Sequence, residues 1–193
     1  MTIILDNISK SYNGKKVLDN LKVEIEDGRC YAFVGEEGSG KTTALKIFMG
    51  LEQPDEGSVA RMGDYKYPTL HSAYVSQDGQ LNLKKSATWN VKKAHRWASK
   101  GRAAEELSRF LPEDRLELPV SELTPVERRL VELTRAFFVP ADFIVLDEPF
   151  EGMDEELRSK CLDYIMKIKG NRPLLIAQRT EDGLDFARKI RLS

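Results

Sequence analysis

Nine residues, Gly35 to Thr43, constrain this chain more than any others: they read G-E-E-G-S-G-K-T-T. The spacing is that of a phosphate-binding loop, Gly, four residues, Gly, Lys, then Ser or Thr. Gly35, Gly38 and Gly40 let the backbone bend tightly and turn consecutive N–H groups onto phosphate oxygens. Lys41 offers a point charge to the β- and γ-phosphates, and the Thr42 hydroxyl offers a ligand to Mg²⁺. Ser39 and Thr43 complete the candidate nucleotide-binding set. Glu36 and Glu37 hold the variable positions, whose side chains are expected to face solvent. The flanks agree with this reading. Cys30–Val34 is a short apolar run that predicts a buried strand. Lys41–Met49 predicts a helix stopped by Gly50, with the triphosphate at its N-terminus, where orphan N–H groups and the dipole favour an anion. A glycine-rich turn can exist without a ligand. With a strand before it and a helix after it, a nucleoside triphosphate with Mg²⁺ is the stronger reading.

Length bounds the chain to one domain, residues 1–193, with at most a sub-lobe. The formal charge is −1 with acids and bases mixed, which argues against a nucleic-acid stripe or a polybasic membrane patch. The N-terminus has no apolar signal-like run. The longest apolar stretches, Phe137–Val139 and Phe143–Leu146, are interrupted at Pro140 and Asp142 and fall short of a membrane span. Work at a membrane would require docking onto another protein. Cys30 and Cys161 lack any metal-like spacing and are expected as buried free thiols in a reducing cytosol. His71 and His95, the only histidines, are expected at the surface or in packing.

The order of elements predicts an α/β fold. Strands are expected over Thr2–Leu5, Val17–Ile25, Cys30–Val34, Ser58–Met62 and Ser72–Val75, with turns at Asn13-Gly14 and Asp27-Gly28. Helical patterns follow over Thr88–Ala98, Arg102–Phe110 and Glu127–Phe138. Alternation then returns: strand Phe143–Leu146, helix Glu155–Lys169 with Gly170 behind it, strand Leu174–Ala177, helix Glu181–Ala187 and a short strand near Ile190. Such alternation implies a mostly parallel sheet core. An N-terminal antiparallel β subdomain and a helical insertion over about 78–138 complete the expected P-loop NTPase.

The second half of the site lies in Phe143-Ile-Val-Leu-Asp-Glu-Pro149. An apolar strand there ends in two carboxylates. Asp147 can hold Mg²⁺, and Glu148 can polarise an attacking water. Phosphoryl transfer is mainly positioning and charge stabilisation, so a metal, a lysine and a water-orienting carboxylate form a sufficient core.

Together these motifs resemble the ATP-binding subunit of an ABC transporter, over essentially the whole chain. Leu146–Phe150 followed by Glu151–Asp154 is similar to that family's Walker B strand and D-loop. The resemblance implies a role for Gln77, at the Q-loop position, in touching Mg²⁺ and the attacking water and in sensing a membrane subunit. It also implies that Tyr12 stacks on adenine, which suits the sequence-tolerant stacking of bases on rings. The phrases Leu118–Leu123 and Asp147–Gly152 look most like importers of the nitrate, sulfonate and taurine group. Implied partners are a polytopic membrane permease, a second ATPase subunit in a homodimer or heterodimer, and a solute-binding protein in an importer. Nucleic acid is not among them. The implied location is cytoplasmic, peripheral on the inner face of the cell membrane.

The chain departs from the family pattern twice. Where the signature Leu-Ser-Gly-Gly-Gln is expected stands Leu123-Thr-Pro-Val-Glu127. Thr124-Pro-Val-Glu127 reads as a capping box with Pro at N1. Pro125 removes a donor, Val126 adds bulk and Glu127 adds negative charge, although Thr124 keeps a hydroxyl for the partner's nucleotide. Where the switch histidine is expected stands Gln178, which can donate a hydrogen bond but carries no charge. The leading function is therefore ATP hydrolysis that powers solute transport, with Glu148, Gln77, Gln178 and Lys41 as catalytic candidates and Thr42, Gln77 and Asp147 as metal candidates. One alternative is an ATP-binding regulatory or structural subunit with little hydrolysis, paired with an intact one. Another is a non-transport ABC ATPase, which the lack of a coiled coil, tandem domain or basic face disfavours. Trp89 and Trp97 lie about two turns apart on an expected helix. Buried, they would be core; exposed, they would mark a docking surface.

Overall fold

The computed structural model describes residues 2–62 and 70–193. It divides into two compact units, one built from Met1–Ser72, Asp142–Glu148 and Lys169–Ser193, the other from Ala73–Ala141 and Pro149–Ile168. The chain runs through β1 (Thr2–Tyr12), β2 (Lys15–Glu26), β3 (Cys30–Val34), α1 (Lys41–Met49), β4 (Glu56–Met62) and β5 (Ser72–Val75). Then come α2 (Ala87–Ala94), α3 (Lys100–Leu107), α4 (Pro125–Phe137), β6 (Phe143–Asp147), α5 (Glu155–Lys169), β7 (Leu174–Gln178) and β8 (Arg188–Arg191). The expected α/β architecture of a P-loop NTPase is present.

In the first unit, β2-β1-β4 form an antiparallel sheet. β1 extends well past Leu5, where the expected strand ends, and runs on to Tyr12. Asn7 adopts φ 52°, and the register shifts between Leu5 and Ile8. The strand absorbs the polar pair Asp6-Asn7 as a bulge and continues. A second, parallel sheet has the order β6-β7-β3-β8. Every residue of β3, β6 and β7 is buried, as near-continuous apolar runs in a parallel sheet require. Phe33 and Phe143 are fully enclosed, each contributing roughly 1.5–3 kcal/mol by burial. The register sets Val34 beside Gln178 and Asp147 beside Ala177. The carboxyl ends of three strands thus meet along one edge, where ligands bind in open α/β sheets.

Glu181–Ala187 is not helical, contrary to the sequence expectation. Gly183 sits at φ 65°, and the segment closes as successive turns, Leu184 N–H to Glu181 O and Ala187 N–H to Leu184 O. The last strand, expected near Ile190, is β8. Both cysteines are buried and free.

In the second unit, α4 buries Leu130, Val131, Leu133, Thr134 and Ala136, the stripe of an amphipathic helix. Tyr164 of α5 meets Phe110 and Phe137 edge-on, with ring centroids 5.0 and 6.1 Å apart. α2 stops at Ala94, and His95 takes an extended conformation, so Trp97 lies beyond the helix rather than on it. Among the described residues, no helix is long and apolar enough to cross a membrane.

Candidate functional site

The loop between β3 and α1 is held from both sides. Gly35 N–H donates to Gln178 O at 3.3 Å, and Ser39 N–H to Glu36 O at 3.2 Å. Gly40 has φ 91°, and a Cβ there would lie 2.4 Å from Val17 O, so no other residue fits. Gly40 is also the N-cap of α1 and has no side chain to cap it. The first-turn N–H groups of α1 therefore point into the loop with no side-chain acceptor. Ser39 Oγ is buried without a hydrogen-bond partner. An orphan hydroxyl, an uncapped helix start and a glycine cradle fit a bound phosphate chain.

Lys41 is buried and donates to Gly35 O at 2.6 Å and Glu36 O at 2.9 Å. Its Nζ lies 3.6 Å from Glu148 Oε1. Thr42 Oγ1 donates to Asp147 Oδ2 at 2.7 Å, so the two metal candidates of this unit already touch. Asp147 is fully buried. Glu148 follows at φ 46° with its N–H on Ala177 O, a left-handed backbone that turns its carboxylate away from the strand line. A hydroxyl and a carboxylate in contact, beside a lysine and a second carboxylate, are hard oxygen donors that would suit a divalent cation. Glu36 and Glu37 are exposed, as expected, and Glu37 pairs with Arg179 at 3.3 Å.

Tyr12 is 42% exposed, and its hydroxyl bonds to the Glu52 carboxylate. Burial, followed by Glu52, raises its phenol above the ordinary value, while Thr43 acts in the opposite direction. Lys10 Nζ stands 5.7 Å from the ring centroid. The ring is thus held at its hydroxyl by Glu52 and carries the Lys10 ammonium over its face.

Gln178 is buried, and its amide Nε2 donates to Thr180 O at 3.0 Å and Asp182 O at 3.3 Å. The donor that a switch residue would offer to phosphate is engaged by its own loop.

The second unit carries Gln77 and Thr124. Gln77 is exposed. Its carbonyl accepts from Arg129 Nη2 at 2.9 Å, and the Ser76 carbonyl from Nη1 at 2.7 Å. Glu132 of α4 is buried and accepts from Gln80 N–H at 2.5 Å. Sequence reasoning missed Arg129 and Glu132, the clamps that fix this loop to α4. Their signal was three-residue spacing of charged side chains on a helix with an apolar face. Thr124 caps α4 as expected: Glu127 N–H donates to Thr124 Oγ1 at 3.2 Å, and Thr124 N–H to Glu127 Oε2 at 2.8 Å.

A family model described as ABC transporter matches residues 18–151. The chain is 29% identical over 192 residues to the sulfate/thiosulfate import ATP-binding protein CysA of Nephroselmis olivacea, covering 94% of this chain and 56% of that protein. It is 30% identical over 195 residues to the Nod factor export ATP-binding protein I of Burkholderia thailandensis, covering 93% of this chain and 64% of that protein. It thus spans between half and two thirds of these curated relatives. Among solved structures, a Pyrococcus furiosus protein described as an ABC transporter ATP-binding protein is 25% identical with a TM-score of 0.85, covering 100% of this chain and 98% of that one. A dimeric ATP-binding cassette with ADP and Pi bound shares the fold at 23% identity and a TM-score of 0.84, covering 99% of this chain and 94% of that one.

Proposed function

This chain belongs to the ABC transporter family as an ATP-binding domain, and from that premise we propose that it binds ATP with Mg²⁺ and hydrolyses the nucleotide to drive a solute across a membrane. The observation that carries the reading is the meeting of Lys41, Thr42, Asp147 and Glu148 in one unit, with Lys41 Nζ 3.6 Å from Glu148 Oε1 and Thr42 Oγ1 2.7 Å from Asp147 Oδ2. Bound Mg²⁺ supplies charge neutralisation at the phosphates. Thr42 and Asp147 would hold it, and Gln77 is the proposed contribution of the second unit. Lys41 exchanges loop carbonyls for phosphate oxygens, Glu148 orients and deprotonates water, and Tyr12 carries the base. Both units together would form one ATPase domain, 1–193, whose helical part over about 78–138 receives a polytopic permease. The domain would then sit peripherally on the cytoplasmic face of the membrane, beside a second ATPase subunit and, in an importer, a solute-binding protein. Import and export proteins both occur among the relatives, so their names select neither direction nor the nitrate, sulfonate and taurine group.

Phosphate release by the purified protein tests this. Glu148→Gln should lower turnover about 10²- to 10⁴-fold, the usual size of general-base catalysis, while nucleotide binding persists. Turnover untouched by the substitution would remove the enzyme reading.

Two observations favour a second reading, an ATP-binding subunit with little hydrolysis of its own. The N-terminus of α4 is closed on itself by the capping box, and the Gln178 amide is engaged within its loop. Such a subunit would pair with an intact cassette. Rapid turnover by this chain as a homodimer would count against it.

A further inference from the structure

The whole-chain charge of −1 conceals a local segregation. From Gly79 to Ala104 there is no Asp or Glu, while Lys84, Lys85, Lys92, Lys93, Arg96, Lys100 and Arg102 all fall within that stretch. The expectation of evenly mixed charge fails here. Lys100 pairs with Glu117 at 2.9 Å, and the Arg102 guanidinium covers the Phe138 ring at 5.6 Å. Among the described residues, the other five cations have no carboxylate partner. Lys84, Lys85, Lys93 and Arg96 are exposed, and Lys92 is half-buried.

Both tryptophans of the chain occupy the same stretch. Trp89 is 37% exposed and Trp97 82% exposed. Lys85 Nζ lies 5.7 Å from the Trp89 ring centroid, and the Arg96 guanidinium 5.2 Å from that of Trp97. α2 turns Ala87, Thr88, Asn90 and Val91 inward. Trp89, Lys92 and Lys93 therefore share the outward face, at three- and four-residue spacing.

We propose that this stretch, with Trp89, Lys92 and Lys93 at the outward face of α2, Lys85 just before the helix and Trp97 exposed just beyond it, docks on the anionic phospholipid head groups of a membrane. The proposal rests on the membrane-side placement argued above. Clustered cations are attracted to an anionic leaflet, and indole rings settle at the head-group level. Each ring here already carries a cation against it, so a lipid phosphate can meet the cation while the ring lies in the interface. That arrangement favours lipid over nucleic acid, whose bases would need bare rings to stack on.

The tryptophans make the test direct, because tryptophan emission, excited selectively over the tyrosines, reports on this stretch alone. Vesicles containing phosphatidylglycerol should shift the emission to the blue and sediment with the protein. Pure phosphatidylcholine vesicles, or raised ionic strength, should abolish both effects. Lys92→Gln with Lys93→Gln should lower partitioning about 20–30-fold, at about fivefold per surface charge. Lys22→Gln with Lys167→Gln, equal in charge but outside the stretch, should change it little. Binding of a fluorescent ATP analogue by each variant reads folding and the nucleotide site separately. Equal loss in both pairs, or no selectivity for anionic lipid, overturns the proposal; so does an emission shift produced by single-stranded DNA and not by vesicles. Any of these results leaves the ATPase reading standing. Absence of ATP turnover with lipid binding intact would count against that reading alone.

Discussion

Four described non-glycine residues have positive φ: Asn7, Asn13, Asn20 and Glu148. Asparagine tolerates the left-handed region, whereas a long side chain there is uncommon and costs about 1–2 kcal/mol. Glu148 therefore holds its carboxylate at the expense of backbone strain, and strain of this kind clusters at functional sites. Glu148→Asn should melt higher than Glu148→Gln by about 1 kcal/mol, or roughly 2–4 °C, with turnover low in both. Scanning calorimetry of the two variants checks this. Cys161 is the second residue with a readable chemistry. Burial pushes its thiol up to about 11, against a smaller opposing effect of Lys160. The native protein should resist iodoacetamide at neutral pH and react fully once unfolded. The folded state keeps the proton longer than the unfolded one, so this contribution to stability is intact below about pH 9 and declines as pH rises toward 11. Unfolding midpoints across that interval test the sign.

Two helix starts in this chain solve the same problem in opposite ways. α1 begins at a glycine with no side-chain cap, and its free N–H groups are left for a ligand. α4 begins with Thr124 and Glu127 bonded to one another, and its free N–H groups are partly answered from within. Thr124→Ala should cost about 1 kcal/mol of stability, measured by denaturant titration. Replacing Pro125 and Val126 with Gly and Glu127 with Gln should lower stability too, yet raise ATP-dependent association or turnover if that helix end faces a partner's nucleotide. Both starts were legible in the sequence, because each rests on local spacing: the glycine pattern before Lys41 and the Thr-Pro-Val-Glu run. Less legible were the elements decided by a single backbone conformation. The strand expected over Thr2–Leu5 runs on to Tyr12, because the chain passes Asp6-Asn7 as a bulge. Glu181–Ala187 has helical spacing, yet Gly183 diverts it into turns. Gln178 was found by position, but its hydrogen bonds to Thr180 and Asp182 depend on a loop that no local pattern encodes.

Taken whole, the molecule places its candidate chemistry unevenly. The first unit assembles Lys41, Thr42, Asp147 and Glu148 from residues more than a hundred positions apart, through the parallel register of β6, β7 and β3. The second contributes Gln77, Thr124 and the basic face around Trp89. That face escaped the sequence reading because composition averages over the chain, and seven cations in one stretch vanish into a total near neutrality. Nucleotide should stabilise the folded protein by mass action. ATP with Mg²⁺ at a hundred times its dissociation constant should add about 2.7 kcal/mol, equivalent to roughly 5–10 °C. Thermal shift should show the increment disappear with Lys41→Ala and shrink on chelating the metal. Lys41 also bears on the heat of that binding. Its ammonium already rests on two loop carbonyls, and the Thr42 hydroxyl on Asp147. An arriving nucleotide must trade these bonds rather than add to them. Calorimetry should therefore record a smaller exothermic signal than the number of final contacts implies, and a site that opens like a latch before it closes on its ligand.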